Sequence, residues 1–490
     1  MRPPPAIDTW VWSWVSSAGY AGSELFMRRS ILPSSAKSNA PFTKSPFATQ
    51  RVCMGIRLRG ISLCLLAAIC LHLPAAAVAA SSLQAGVARV DLTPPLEMKA
   101  ALGGYGARMS KPATGVHDRV WAKALMLRQG TQRRVIVTAD VLGFPPGFRE
   151  AVAGALAAEG WRADDLLLLP SHSHTSLDLT ALNPKNTFQI PQLGLFHREL
   201  HEWTVNRLAE VVRKSANQPG SALVGSTTKS LAGWNRNRRR AKETDRDLTL
   251  TRFDAESGRP LAVLVNWTAH PTFMDAEHME FSGDWPGHLQ RTLEALIGQD
   301  VTVLYYNGAE GDQSPTPRAN GGPAWEQAER YGRELAIEAW RAWQTVQTSP
   351  APELAWHLEP VTLPPHVPHP DFTKTGGKEY GLNQENIGLL LERMCPATTH
   401  CLAVRIGDLV IAGVPGEMAA GLGLEVKAAV RRETGAKHVA IGGLADEWIS
   451  YMLTPEEYRK GGYEASVSFY GETLGPTIAQ AAARACAQLR

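Results

Sequence analysis

The chain reads as an α/β domain in which the strands are mixed rather than purely parallel. Short apolar runs of strand length alternate with longer amphipathic segments from residue 85 onward. Two of the runs, Leu402–Ile406 and Leu409–Val414, are separated only by Gly407-Asp408, a hairpin turn that joins antiparallel neighbours. Of the 490 residues, 44% are hydrophobic and 20% charged, as expected for a globular protein with a sizeable core.

In chain order, Ala85–Leu92 alternates like a strand and stops at Thr93-Pro94-Pro95. Gly103-Gly104-Tyr105-Gly106 is a turn-rich loop, and Arg134–Thr138 is a second strand. Glu150–Gly160 is an Ala-rich helix closed by glycine. Leu166–Leu169 is a strand, 196–214 an amphipathic segment, and strands follow near 222 and 248 and at Leu261–Val265. Helical periodicity marks Trp285–Leu296, Trp325–Trp343, Glu417–Glu433 and Pro476–Leu489. Val301–Tyr305 and His438–Ile441 are further strands. Asn183-Pro184 and Pro191 break any period in 179–195, and Pro364-Pro365, Pro368, Pro370 and Gly376-Gly377 do so in 350–385, so both are expected to be loops or insertions. No repeat and no compositional break divides 81–490, which is expected to be one domain.

The N-terminal part has a different character. Arg57 and Arg59 precede the apolar stretch Ile61–Leu73, and Ala75–Ala80 supplies small residues before Ser81-Ser82. A basic start, a short apolar centre and a small-residue cut site make 54–80 a secretory signal, cleaved after Ala80 or Ala79, and the protein is expected to be exported, either periplasmic or secreted. Met54 stands where such a signal normally begins. Residues 1–53, Pro/Ser-rich and aperiodic, are therefore expected to be an unstructured leader or untranslated. Cys395, Cys401 and Cys486 follow the cut. In an oxidising compartment Cys395 and Cys401 can close a small loop or remain two buried thiols, while Cys486 packs as a small hydrophobe. A formal charge of +3 implies neither nucleic acid nor an acidic surface as a partner. The cluster Arg236, Arg238, Arg239, Arg240 is either a local exception or, more plainly, a solvated loop.

Five of the apolar runs lead directly into residues able to serve one site. Leu166–Leu169 leads to Ser171-His172-Ser173-His174, and Leu261–Val265 to His270-Pro271-Thr272. Val301–Tyr305 leads to Gly311-Asp312-Gln313-Ser314-Pro315, Leu409–Val414 to Pro415-Gly416-Glu417, and His438–Ile441 to a loop with Asp446, Glu447 and Tyr451. Strands ending together deliver their loops to one rim. Imidazole, carboxylate and phenol are nitrogen and oxygen donors that a catalytic zinc accepts, and this points to a metallohydrolase. Each residue also has a plainer reading: loop histidines, a turn at Asp312 and Ser314, a first-turn helix glutamate at Glu417 and a core aromatic at Tyr451. His278, Ser282, Asp284 and His288 are placed to support His270.

Taken together these pieces resemble the neutral/alkaline non-lysosomal ceramidase family. Ser171–Thr175 is similar to its Thr-His-Thr-His-Ser motif, and Ala269–Thr272 with Ser282-Gly283-Asp284 to its His-Pro-Thr and Ser-Gly-Asp-Asn elements. Gly311–Pro315 is similar to its Gly-Asp-Val-Ser-Pro, Pro415-Gly416-Glu417 to its Pro-Gly-Glu, and Thr454–Tyr458 with Tyr463–Ser466 to its closing block. The resemblance implies two sheets packed together with helices outside. It implies Zn2+ held by His172, His270, Glu417 and Tyr451. It places the family's second histidine at His174, a serine once proposed as nucleophile at Ser314, a substrate-side arginine at Arg238, and a carbonyl-polarising tyrosine at Tyr463. The implied activity is zinc-dependent hydrolysis of an N-acyl amide, with ceramide cleaved to sphingoid base and fatty acid as one form. The partner is then a small-molecule or lipid amide, met in transient contact with a membrane surface. Hydrolysis of an ester or phosphoester by the same ligands, and a secreted binding protein with a degenerate site, are the alternatives. Thr175–Leu179, Trp285, Gly462 and Gly471–Thr473 depart from the family pattern. The family's C-terminal immunoglobulin-like domain is expected to be absent after Arg490.

Overall fold

A computed structural model describes residues 82–489 except 299, 320 and 351. The expected leader 1–53, the signal 54–80 and the cut at Ala80 lie outside these residues. Among the described residues no helix is long and apolar enough to cross a membrane.

Eight strands form one mixed sheet, in the order Thr302–Asn307, Pro260–Trp267, Asp247–Ala255, Gly220–Ser230, Gln84–Asp91, Trp121–Gln129, Gln132–Ala139, Leu166–Pro170. The outermost pair at each edge is parallel and the five pairings between are antiparallel. A second sheet runs Leu354–Thr362, Thr398–Ile406, Leu409–Gly413, His438–Gly442, with only the last pair parallel. The two sheets pack face to face. Leu125, Leu127, Leu167 and Leu169 from the first share a buried cluster with Leu402, Val404, Ile411 and Ala440 from the second. Successive side chains of a strand point to opposite faces, so Ala124 and Met126 turn outward and share a cluster with Leu208 and Val212 of helix Arg198–Ala216. Helices Asp284–Ile297 and Ala324–Trp343 cover the rest of that outer face, and Ala420–Thr434 with Leu474–Ala487 cover the smaller sheet. The two-sheet core with outer helices is the expected architecture.

Several expectations are corrected. Trp121–Gln129 was not legible as a strand; its Ala, Lys, Leu, Met, Arg and Gln are helix formers, and burial between two strand neighbours overrides that preference. Leu354–Thr362 lies in a stretch expected to be loop, and its Pro360 is tolerated because the strand is at a sheet edge. Glu417 does not begin a helix. It lies on the two-residue strand Glu417–Met418, and the helix starts at Ala420. Cys395 and Cys401 form no bridge; they are buried free thiols, as is Cys486. Gly407, at φ 58°, makes the expected hairpin between Thr398–Ile406 and Leu409–Gly413.

Candidate metal centre

His172 follows Leu166–Pro170 at the edge of the large sheet, where Ser171 and His172 N–H donate to Ala139 and Val141 carbonyls. Its backbone is left-handed, φ 65°, a conformation that costs a non-glycine residue roughly 1–2 kcal/mol and concentrates at functional sites. The turn brings Nδ1 to the Leu142 carbonyl at 2.6 Å. His270 follows Pro260–Trp267, and its Nδ1 donates to the Glu310 carbonyl at 2.8 Å and the Gln313 carbonyl at 3.2 Å. A carbonyl only accepts, so each Nδ1 carries the proton and each Nε2 presents a lone pair. Both lone pairs face Glu417 Oε2, from His270 at 3.0 Å and from His172 at 3.4 Å.

Glu417 is placed by backbone register. Glu417–Met418 pairs in parallel with Tyr451–Met452, so Glu417 and Tyr451 are direct neighbours. The Trp448 indole donates to Glu417 Oε1 at 2.8 Å, which leaves Oε2 to the imidazoles. Lone pairs aimed at a carboxylate repel unless a proton or cation lies between them. Burial, reinforced by Arg238, pushes the His270 pKa down to about 4, so at neutral pH this ring stays unprotonated. Burial acts to raise the Glu417 carboxyl, but His172 and His270 outweigh it and hold it well below its ordinary value. The donor set therefore fits a metal cation, and the donor atoms of His172, His174 and His270 lie within 4.8 Å of one another.

The depressed His270 pKa has a measurable consequence. In the unfolded chain an imidazole titrates near 6.5, so on acidification the unfolded state takes up this proton first. Stability contributed by neutral His270 is complete above about pH 6.5 and is lost as pH falls toward about 4. In chelator-treated protein, the excess unfolding free energy of wild type over His270→Gln should shrink across that window, by at most about 1.4 kcal/mol per pH unit. Urea melts at several pH values read this directly, and a pH-independent difference would exclude a buried neutral imidazole.

The other sequence-derived residues surround this cluster. His174 Nε2 lies 3.4 Å from His172 Nε2, and its buried Nδ1 has no partner among the described residues. Burial, with His172 and His270, holds its pKa well below the ordinary value. Arg238 Nη2 donates to the Tyr451 hydroxyl at 3.1 Å and to the Gly311 carbonyl at 2.9 Å, and its Nε to Glu464 at 2.7 Å. Tyr463 shares a 2.8 Å hydrogen bond with Tyr380, its ring 6.0 Å from that of Tyr451. Ser314 sits on the strand Gln313–Pro315, opposite Arg236, where its hydroxyl contacts no base among the described residues. Asp446 is not part of the cluster: it accepts from Leu168 N–H at 2.8 Å and His400 at 2.9 Å. Glu447 binds Thr399 instead. Trp285 donates to the His270 carbonyl at 3.3 Å, and the Ser282 carbonyl accepts from Ser173 at 2.9 Å. Glu310, Trp448 and Tyr380 were missed. Glu310 carried one signal, a charged residue just beyond a strand buried along its whole length.

His172, His174, Glu417, Tyr451 and Tyr463 line one end of a cavity whose other walls include Leu193, Phe372, Leu382, Leu390 and Phe469. Gly104 lies beside it at φ 91°, and a Cβ there would stand 2.2 Å from His174 Nδ1. Gly104→Ala should displace the His174 ring and lower turnover by about 10²-fold, the scale of a misplaced catalytic group. Bound metal, measured by elemental analysis, should stay near wild type.

An α/β sandwich with buried imidazole and carboxylate donors at its strand ends, opening on an apolar cavity, is a domain whose donors fit a metal ion. A family model for "Neutral/alkaline non-lysosomal ceramidase, N-terminal" matches residues 83–319 and 387–479. The chain belongs to this family. Neutral ceramidase 1 of Arabidopsis thaliana is 34% identical over 85 residues, 16% of this chain and 11% of that protein. Neutral ceramidase of Pseudomonas aeruginosa is 36% identical over 70 residues, 14% of this chain and 10% of that protein. The matched stretches are thus small parts of these relatives. The crystal structure of the neutral ceramidase from Pseudomonas aeruginosa superposes with a TM-score of 0.73 at 18% identity, covering 84% of this chain and 74% of that one. A ceramidase structure described as complexed with C2 gives 0.71 at 17% identity, covering 84% and 75%. At these identities the two structures establish the shared fold.

Proposed function

We propose that this protein is an exported, zinc-dependent hydrolase of N-acyl amides, with ceramide-type lipids as the substrate class. The observation that carries the proposal is the convergence of two Nε2 lone pairs and Glu417 Oε2 at the polar end of an apolar cavity. Family membership and the names of the relatives support amide hydrolysis. Phe372, Leu382, Leu390 and Phe469 suit an acyl chain, whose transfer from water contributes about 0.8 kcal/mol per buried CH2. The segment 54–80 supports export, and such a lipid would be met at a membrane surface.

His172, His270 and Glu417, with the Tyr451 hydroxyl beside them, would hold the zinc. When bound, zinc supplies Lewis acidity, which polarises an acyl carbonyl and makes water a nucleophile at neutral pH. His174, half-buried and neutral, accepts the proton of the attacking water at Nε2 and returns it to the departing amine. The Tyr463 hydroxyl, kept protonated by burial and by Glu379, can donate to the oxygen on which negative charge develops. Arg238, held charged by Tyr451, Glu464 and Glu417 against the opposing effect of burial, positions the Tyr451 hydroxyl. Among the described residues no base is hydrogen-bonded to the Ser314 hydroxyl, which favours water over an acyl-enzyme route.

A panel of N-acyl amides from short acyl amino acids to long-chain ceramides, with and without chelator, tests the proposal. Chelator-sensitive turnover favouring long acyl chains is expected. Chelator-insensitive turnover, or cleavage only of esters or phosphoesters, would overturn it.

A further inference from the structure

We propose that Glu310 is a further carboxylate donor of the metal centre, sharing one divalent cation with His172 and Glu417. The inference rests on reading the cluster as a metal site and adds a residue to it. Glu310 is fully buried, and neither of its carboxylate oxygens has a hydrogen-bond partner among the described residues. Three other buried acids are provided for. Asp245 has the Lys427 ammonium at 2.6 Å, Asp446 has Leu168 N–H and His400, and Asp312 has Ala420 N–H at 2.9 Å and Asn237 at 2.7 Å. A carboxylate buried without a donor is costly and calls for a cation or a proton.

The position of Glu310 indicates the cation. Donor atoms of His172, Glu310 and Glu417 lie within 4.8 Å of one another, a grouping that one ion with metal–ligand distances of roughly 2 Å would draw together by small side-chain movements. The residue serves the site from its backbone as well, since its carbonyl orients His270 Nδ1. Room for the side chain is kept by Gly443, where a Cβ would lie 2.4 Å from Glu310 Oε2. Charge agrees: the two carboxylates of Glu310 and Glu417 balance a divalent ion.

The test uses Zn2+ and Co2+ on the full chain. Wild type should bind one zinc per chain in a chelator-competition titration. The isosteric Glu310→Gln should bind at least about 10-fold more weakly, the lower end of what an outer-sphere partner costs. Glu310→Asp, which keeps the charge and shortens the reach, should fall between. The visible Co2+ spectrum of Glu310→Gln should change in intensity as an oxygen leaves the coordination sphere. Without metal, Glu310→Gln should melt at or above the wild-type temperature, because two facing carboxylates become one; with zinc it should melt below. A purely structural glutamate would lower both. Zinc affinity within twofold of wild type together with an unchanged Co2+ spectrum would overturn the role of Glu310 and leave the metal site standing. Failure of wild type to bind zinc above a His270→Ala control would overturn the metal reading itself, and this proposal with it.

Discussion

His270→Ala is expected to abolish stoichiometric metal binding and to lower kcat/KM by about 10³-fold or more, the loss that corresponds to several kcal/mol of metal-supplied stabilisation. The ring is wholly buried, with Nδ1 fixed on two carbonyls and Nε2 facing Glu417. Alanine removes the lone pair and strips the Glu310 and Gln313 carbonyls of a donor. His172→Ala should behave alike, because the Leu142 carbonyl fixes that ring in the same manner. Elemental analysis beside steady-state kinetics checks both. A His270→Ala protein that kept one metal per chain would place the ion elsewhere.

Tyr451→Phe should separate binding from turnover. Burial raises the phenol pKa well above its ordinary value and Glu417 adds to this, while Arg238 opposes them. Such a hydroxyl is a weak donor until a cation favours its anion, so it tunes a metal more than it holds one. Phenylalanine removes the acceptor for Arg238 Nη2, but Arg238 keeps Glu464 and the Gly311 carbonyl. The stability cost should therefore be about 1–2 kcal/mol. Most of the metal should remain, and turnover should fall about 10²-fold. Wild-type turnover in Tyr451→Phe would reduce the residue to a packing aromatic beside Trp448.

Much of this was legible because the informative groups follow strands with a strong local signature. Leu166–Leu169 and Leu261–Val265 are buried apolar runs, and the histidines one or two turns of chain later have nowhere to go but the common rim. Glu417 was legible as a candidate but not in its setting. Its helix-like sequence context belongs to Ala420–Thr434, and the pairing with Tyr451 depends on a strand 34 positions away. Trp121–Gln129 and Leu354–Thr362 were hidden for a related reason, since a strand of helix-forming residues and a strand containing proline are stabilised by neighbours that no local window contains. Glu310 escaped notice because a buried acid is recognisable only once its missing partners are known.

The two-residue ladder between Glu417–Met418 and Tyr451–Met452 divides the protein into parts with different tolerance to change in length. One residue inserted between Gly413 and Glu417, or between Gly442 and Tyr451, would rotate a donor to the opposite face, because side chains alternate along a strand. The hydrocarbon side of the cavity is under no such constraint. It draws largely on Leu179–Leu193 and Phe372–Cys395, which belong to neither sheet, although Tyr380 ties the second segment to Tyr463 by a 2.8 Å hydrogen bond. Lengthening or recasting those segments can remodel what the cavity admits while the register that fixes the chemistry stays intact. Substrate range and reactivity are thereby encoded in separable stretches of chain.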